Sequence, residues 1–274
     1  MFGKLMKYEL HYLVRYFAPM WVIVLSLCAL GRVVTPTQIE DIEGMMIAGT
    51  SWIPAVLMVL SVAGIMTMMV VSTVVLLQRF YKGMYGDEGY LMFTLPVTSG
   101  GLLHSKAFSA VLMMLATILI TIVGVIILVS YEEVWSELTW AVDEAFRMLN
   151  FSSLNTAMLI FWIVVMAILA AAQGIYLVYL AITIGQLWRN HPVIGAVGAY
   201  YGINLLLTGI EGGITYLIGD SVPNMLTSVE RWLEMGQTTV FIAVILYYIV
   251  HALLVIGGAS LIMKFILDKK LNIA

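Results

Sequence analysis

Residues 79–106 read RFYKGMYGDEGYLMFTLPVTSGGLLHSK, and we call them the docking segment. They form the longest polar interruption on the side of the chain that is assigned below to the cytoplasm. A strongly apolar stretch precedes the segment and another follows it. A turn between two helices needs only a handful of residues. The length and composition of the segment therefore predict an element that docks a soluble partner.

The centre of the docking segment has the pattern of a short amphipathic helix. Asp87 can cap its N-terminus, where the negative charges of Asp87 and Glu88 are electrostatically favourable. Tyr90, Leu91 and Phe93 would then provide an apolar and aromatic anchor for the groove of a partner. A helix that lies on the lipid headgroups has the same pattern, so both interpretations stay open at this point.

The borders of the docking segment predict where the flanking helices stop and start. Gly83 and Gly86 are expected to loosen the chain after the preceding helix. Pro96 is expected to end the short helix, because proline cannot continue one. Thr98 is expected to cap the following helix through its side-chain oxygen.

The composition of the whole chain indicates a membrane protein. Of its 274 residues, 62% are hydrophobic and only 11% are charged, and the mean hydropathy is +1.02. An ordinary globular chain carries about 25% charged residues. A soluble core of this size cannot hide so much apolar surface, so lipid must supply part of the solvent. The single cysteine, Cys28, excludes an internal disulfide.

The apolar stretches predict an all-α, polytopic membrane protein with six transmembrane helices in one domain. The predicted spans are 17–34, 52–78, 107–130, 158–188, 193–219 and 239–267. Residues 1–16 are amphipathic, with Lys4, Lys7, His11 and Arg15 at helical spacing. A basic amphipathic helix before a span is typical of a helix that lies in the inner membrane interface.

The distribution of basic residues predicts the orientation of the spans. Six spans place both termini on one side, and the side with more lysine and arginine is expected to be cytoplasmic. With both termini inside, ten of the 13 basic residues are cytoplasmic. These ten are Lys4, Lys7, Arg15, Arg79, Lys82, Lys106, Arg189, Lys264, Lys269 and Lys270. The docking segment is then cytoplasmic as well.

Motifs for several chemistries are missing from the sequence. No G-x-x-x-x-G-K-[ST] phosphate cradle and no H-E-x-x-H zinc motif occurs. The four histidines are scattered over separate elements. We therefore expect no enzymatic activity, no metal site, no ATP hydrolysis by this chain and no nucleic-acid partner.

Polar residues within the spans are candidates for a translocation path or gate, because ionisable groups at depth are costly. Glu211 lies about 27 Å along the fifth span from its inner end, and Arg32 about 22 Å along the first. These two side chains could pair, or each could reach outer water. His251 lies about 18 Å from the outer end of the sixth span, where it could line a path or serve as a structural histidine. Gln173 is a further candidate, with an interhelical hydrogen bond as its alternative role.

Glycines recur along the fifth span and allow close backbone approach between helices. They are Gly195, Gly198, Gly202, Gly209 and Gly213. This pattern predicts tight packing against a neighbouring helix, which could belong to a second copy of the chain.

The docking segment, through RFYK, GDEGYLMFTLPVT and SK, resembles the cytoplasmic segment of ABC-2 type permease subunits of Gram-positive bacteria. The C-terminal residues ILDKKLN, at 266–272, are similar to the end of those proteins. The resemblance implies a dimer of six-span permeases in the bacterial plasma membrane, in contact with membrane lipid. It also implies that each permease docks a separate ABC ATPase subunit, which binds the ATP and Mg²⁺. No cofactor is expected on this chain.

The resemblance implies roles for particular residues. The coupling helix that enters the ATPase would consist of Asp87, Glu88, Gly89, Tyr90, Leu91 and Phe93, ended by Pro96. A second inner loop with Arg189 and His191 would make a further contact. Spans one and five commonly meet at the dimer interface in this family, which would give the glycines of the fifth span their role.

The function that the resemblance implies is ATP-driven export of an amphipathic or hydrophobic cargo. A peptide of antimicrobial or toxin-like type is the first expectation, and a drug or a lipid is the alternative within the family. A channel or a membrane scaffold that works without an ATPase is the alternative from another class.

Overall fold

The structure is a computed structural model, which describes residues 2–34, 52–86, 89, 98–130, 135–137, 139–141, 144, 156–188, 190–221 and 237–269. Across these residues the regular structure is entirely α-helical. The six long helices are α1 (Phe2–Val34), α2 (Trp52–Tyr85), α3 (Ser99–Val129), α4 (Thr156–Gly185), α5 (Pro192–Ser221) and α6 (Gln237–Lys269).

All six helices are long and apolar enough to cross a membrane. The qualifying stretches are Gly3–Val34, Trp52–Tyr85, Ser99–Val129, Phe161–Gly185, Pro192–Gly213 and Ile245–Lys269. The predicted all-α class is thereby confirmed for the described residues, and the number of candidate spans agrees with the predicted six. The orientation of the spans stays a prediction.

Two helices extend further into the docking segment than their predicted spans. The second helix ends at Tyr85 rather than at residue 78, and the third begins at Ser99 rather than at residue 107. Apolar side chains at helical spacing, including Phe80 and Leu103, are buried along these extensions. Only residues 86–98 therefore separate the two helices.

The first helix runs without interruption through the predicted junction between residues 16 and 17. Glu9, Leu13 and Phe17 form a buried stripe at successive turns, whereas Lys4 and Lys7 are exposed. The amphipathic segment is thus the first part of α1 and is not a separate helix. Its position in the membrane interface stays a prediction.

The chain divides into two compact units, of which the first comprises Met1–Arg79 and Phe108–Phe146. An apolar cluster from α1, α2 and α3 forms its core. The cluster consists of Val24, Cys28, Ile65, Met68 and Leu128. Two hydrogen bonds join the helices beside it: Trp21 Nε1 donates to Thr117 Oγ1 over 3.2 Å, and Ser61 Oγ donates to the Leu27 carbonyl over 3.1 Å. The Trp21 N–H and the buried Ser61 hydroxyl thereby find acceptors, as an apolar environment requires.

An apolar groove of about 630 Å³ runs along α1 and α2 within the first unit. Its lining includes Met20 and Leu27 from α1, and Leu60, Thr67 and Val71 from α2. None of the described residues that line the groove is charged. The groove is therefore suited to apolar matter such as an acyl chain.

The second unit comprises Phe80–Ala107 and Arg147–Ala274, and α4 packs there against both α5 and α6. A tight turn joins α4 to α5: the His191 amide donates to the Trp188 carbonyl over 3.3 Å, and the Gly195 amide donates to the His191 carbonyl over 3.0 Å. Pro192 occupies the first position of α5, where its missing N–H costs nothing. The predicted inner turn is present among the described residues, although Arg189 lies outside them.

Gly185, the last residue of α4, is required by the close approach of α5. A methyl group added there would lie 2.5 Å from the Ala196 nitrogen and 2.6 Å from the Pro192 oxygen. Because backbone atoms cannot yield as a flexible side chain can, Gly185→Ala is expected to lower the free energy of unfolding by about 1–3 kcal/mol. Gly174→Ala on the same helix is the matched control, since an added methyl there meets nothing within 4 Å. Equal thermal stability of the two purified variants would contradict this packing.

Candidate functional site

The docking segment is held at its α2 side by stacked aromatic rings. Phe80 of α2 stacks on Tyr179 of α4 with ring centroids 3.6 Å apart and planes inclined by 9°. Both side chains are almost fully buried. Tyr85, the last residue of α2, meets the edge of the Phe80 ring at 6.0 Å. The three rings fasten the end of α2 to α4.

Hydrogen bonds reinforce this attachment. The Tyr85 hydroxyl donates to Thr183 Oγ1 over 2.7 Å, and Thr183 Oγ1 donates in turn to the Tyr179 carbonyl over 2.8 Å. On α3, His104 Nδ1 and the Tyr176 hydroxyl lie 2.8 Å apart. Both helices that flank residues 86–98 are therefore bonded to α4.

The start of α3 is attached to α6. Thr98 Oγ1 accepts a hydrogen bond from the Gly101 amide over 3.2 Å, which confirms the predicted cap of α3. Ser99 Oγ donates to Asp268 Oδ1 of α6 over 2.5 Å. Phe80, Tyr85, Ser99 and His104 thus form what we call the segment base, which joins the docking segment to α4 and α6.

Gly83 does not loosen the chain, contrary to the sequence-based expectation. The helix continues through it to Tyr85, and the side chain of the buried Lys106 lies where a side chain at position 83 would stand. Gly83 therefore allows α3 to approach α2 closely. Gly86 closes the helix instead, its amide donating to the Tyr81 carbonyl over 3.2 Å.

The predicted coupling helix lies almost entirely outside the described residues. The residues of this helix that lie outside the described part of the chain are Asp87, Glu88, Tyr90, Leu91, Phe93 and Pro96. Gly89 is described and buried, and its amide donates to the Gly86 carbonyl over 2.8 Å. The aromatic anchor of the predicted helix stays a prediction. The ends of α2 and α3 on either side of it are described, with the contacts of the segment base.

A second polar site lies between α5 and α6. His251 Nε2 is 2.8 Å from Glu211 Oε1, and the side chains keep 21% and 43% of their surface exposed. The distance is that of an ion pair, but the oxygen lies off the hydrogen-bonding direction of the buried ring nitrogen. The ring of Tyr247 lies nearly parallel to that of His251, with centroids 6.1 Å apart. We call these three residues the Glu211 site.

The Glu211 site brings together two residues that the sequence treats as separate candidates. Measured from the inner ends of their predicted spans, Glu211 lies about 27 Å along the fifth span and His251 about 24 Å along the sixth, so the predicted spans are compatible with this contact. The depth of the pair in the membrane stays a prediction.

Arg32, Gln173 and His191 are the remaining candidates that the structure describes. Arg32 Nη2 donates to the Ser130 carbonyl just beyond α3, over 3.0 Å, a partner that the sequence did not indicate. Gln173 is half-buried on α4. His191 is exposed and contributes its backbone to the turn between α4 and α5.

The glycines of α5 divide into two groups. Gly195 faces α4, because a methyl group there would lie 2.9 Å from the Trp188 ring and 3.1 Å from the Gly185 oxygen. No described residue lies within 4 Å of a methyl group added at the other four, which are Gly198, Gly202, Gly209 and Gly213. Their predicted role at an interface with a second copy stays a prediction.

Sequence reasoning missed the ion pair between α1 and α2. Arg79 Nε donates to Glu9 Oε2 over 2.8 Å and Nη2 to Oε1 over 3.3 Å. The Glu9 side chain is buried, and that of Arg79 keeps 13% of its surface exposed. The guanidinium also lies 3.9 Å from the centre of the Tyr12 ring. The signal was the position of Glu9, an acidic residue on the same helical stripe as Leu13 and Phe17.

No protein-family model, curated protein or solved structure matches the chain. Within the described residues, no three His, Cys, Asp or Glu side chains are grouped so that they could hold a metal ion. The two candidate sites, the segment base and the Glu211 site, therefore have to be interpreted from their own geometry.

Proposed function

We propose that the chain is the permease subunit of an ATP-driven exporter of the ABC-2 type, with an amphipathic or hydrophobic cargo and a peptide as the first candidate. The observation that carries the proposal is the segment base. Residues 86–98 are too long for a plain turn, and the helices on both sides of them are fastened to neighbouring helices by rings and hydrogen bonds.

The segment base suits the transmission of force from a docked partner. A partner that displaces residues 86–98 would act on the ends of α2 and α3, which are bonded to α4 and α6. Helices joined by buried, close-packed contacts move as a unit and do not deform continuously. The ends of α2, α3, α4 and α6 would therefore shift together. A surface helix that only rests on lipid headgroups has no need of such an attachment.

The proposed mechanism is a linkage between nucleotide state and helix arrangement. The partner ATPase binds ATP and Mg²⁺, and its closure moves the coupling helix of each permease in a dimer. ATP can open an outward path only to the extent that the ATPase favours one arrangement of the permease over the other. This chain contributes the docking anchor, the segment base and the spans that enclose the path.

The proposal is tested by removing the anchor. Tyr90→Ala with Phe93→Ala is expected to weaken capture of the ATPase and transport by at least about tenfold, because buried aromatic anchors dominate such interfaces. The measurement is affinity purification from the native membrane, with mass spectrometry and quantification of the captured ATPase.

The matched control removes two aromatic side chains elsewhere. Trp135→Ala with Trp140→Ala changes two exposed rings in the helical residues after α3, which are predicted to lie on the outer side of the membrane. This variant is expected to capture as much ATPase as the unmodified protein. Absence of any ABC ATPase from the unmodified protein, after gentle solubilisation, would contradict the permease function and favour a channel or scaffold.

A further inference from the structure

The apolar groove between α1 and α2 lies wholly within the first unit and has a volume of about 630 Å³. Its lining extends from Tyr16 to Leu27 on α1 and from Leu60 to Val75 on α2. Along the helix axes these distances are about 17 Å and about 22 Å. One leaflet of a bilayer contains about 15 Å of hydrocarbon, half of the apolar core. The groove is therefore about as long as the acyl chain of a lipid in one leaflet.

Both walls of the groove can be reached from outside the protein. The exposed fraction of the side chain is 61% for Ile23 on α1, and 51% for Leu60 and 41% for Val71 on α2. Gly64 belongs to the α2 wall, and a methyl group added there would meet no described residue within 4 Å. The groove is thus an indentation that a lipid can enter and that a larger side chain at position 64 would fill.

One end of the groove is polar. Tyr16 lines that end, and the Tyr12 hydroxyl donates to the Tyr16 hydroxyl over 3.5 Å. The Tyr12 ring in turn lies 3.9 Å from the Arg79 guanidinium. Arg15 follows Tyr12 by three residues, so these two side chains are neighbours on the helix surface. Tyrosine and arginine are typical of the membrane interface, so a lipid in the groove would place its headgroup at this end.

The part of α1 that leads to the polar end is positively charged. Lys4, Lys7 and Arg15 are exposed there. The only acidic residue of α1 is Glu9, which is buried and forms an ion pair with Arg79. Three exposed positive charges beside one neutral pair leave a net charge of +3 on these five side chains. Such a surface attracts anionic lipids, and a guanidinium binds a phosphate group well.

We propose that the groove binds one acyl chain of an anionic phospholipid, whose phosphate lies at Arg15 and the pair of Tyr12 and Tyr16. A zwitterionic lipid fits the same groove but gains less from the positive surface. A helix from a second copy of the chain would cover the walls and would leave the polar end unused. The bound lipid is a constituent of the folded protein and is not the exported cargo, so this inference does not rest on the proposed function.

The test is native mass spectrometry of the purified full chain in detergent, titrated with phosphatidylglycerol and with phosphatidylcholine of identical acyl chains. One phosphatidylglycerol per chain is expected to bind at least about fivefold more tightly than phosphatidylcholine, since each nearby basic residue contributes about that factor. Gly64→Phe is expected to lower the affinity for both lipids at least about tenfold, because its ring occupies the groove. Gly174→Phe, at an exposed position of α4 where an added methyl group also meets nothing within 4 Å, is the matched control and is expected to bind both lipids normally.

A further variant separates the headgroup from the acyl chain. Arg15→Gln is expected to lower the affinity for phosphatidylglycerol about fivefold and to change that for phosphatidylcholine less than about twofold. Thr67→Phe fills the groove from another exposed lining position and takes the place of Gly64→Phe if that variant fails to fold. Unchanged lipid binding in the groove-filling variants, or equal affinity for the two lipids, would overturn the proposal. Loss of a dimer without loss of lipid in Gly64→Phe would overturn it as well and would assign the groove to a second copy.

Discussion

Replacement of Phe80 by alanine is expected to lower the free energy of unfolding by about 3–5 kcal/mol, the range for deletion of a large buried aromatic side chain. The ring is 1% exposed and is stacked at 3.6 Å on Tyr179. Its removal leaves a cavity between α2 and α4 and also removes the edge-to-face contact with the Tyr85 ring. The measurement is the unfolding midpoint in a titration with denaturing detergent.

A second readout separates the packing role of Phe80 from the proposed transmission role. Phe80→Leu retains much of the buried volume but loses the stack, so its stability is expected to lie between those of the alanine variant and the unmodified chain. Stimulation of the bound ATPase by cargo is expected to fall in both variants. Phe108→Ala, at an exposed position of α3, serves as the control and is expected to be nearly neutral. If Phe80→Ala were as stable as Phe108→Ala, the aromatic attachment would be wrong.

Removal of Glu9 is the change with the second large expected effect. Glu9→Ala leaves the largely enclosed guanidinium of Arg79 without this carboxylate, and breaking a fully buried pair in this way costs about 3–5 kcal/mol, which is the upper limit here because Arg79 keeps 13% of its surface exposed. The Tyr12 ring, 3.9 Å from the guanidinium, can offset only a fraction of that loss. A marked decrease in thermal stability is the expected observation.

The double variant Glu9→Ala with Arg79→Met distinguishes a missing charge partner from a packing defect. It removes both charges and keeps an apolar chain of similar length at position 79, so it is expected to recover most of the lost stability. Arg15→Ala, which removes an exposed charge from the same helix, is expected to change stability by less than about 0.5 kcal/mol. No recovery in the double variant would show that Glu9 acts through packing alone.

Helix number and type followed from local properties of the chain. Six apolar stretches of sufficient length can satisfy their backbone hydrogen bonds internally, and in lipid a helix is the simplest way to do so. The predicted ends of the fourth, fifth and sixth spans lie within about three residues of the observed ones. Thr98 was predictable as a cap because a capping hydroxyl acts on amides two or three residues away.

Contacts between helices could not be derived from local properties. The sequence marks Glu211 and His251 as costly within spans, but it does not show that the faces of α5 and α6 that carry them meet. Glycines were ambiguous for the same reason. Glycine is a residue that commonly ends helices, so the sequence suggests that Gly83 breaks α2. Only the placement of the Lys106 side chain shows that Gly83 makes room for the neighbouring helix α3.

By itself, then, the sequence indicated that lipid surrounds much of this protein. It also determined the helical class, the number of candidate spans and the position of the docking segment. Each of these depends on the transfer of short stretches between water and lipid, which is a property of the residues themselves. Tertiary structure alone decided that Phe80 meets Tyr179, that Arg79 meets Glu9 and that Glu211 meets His251. Such pairs depend on the rotation and relative height of helices distant in sequence, which are set by the packing of entire helix faces.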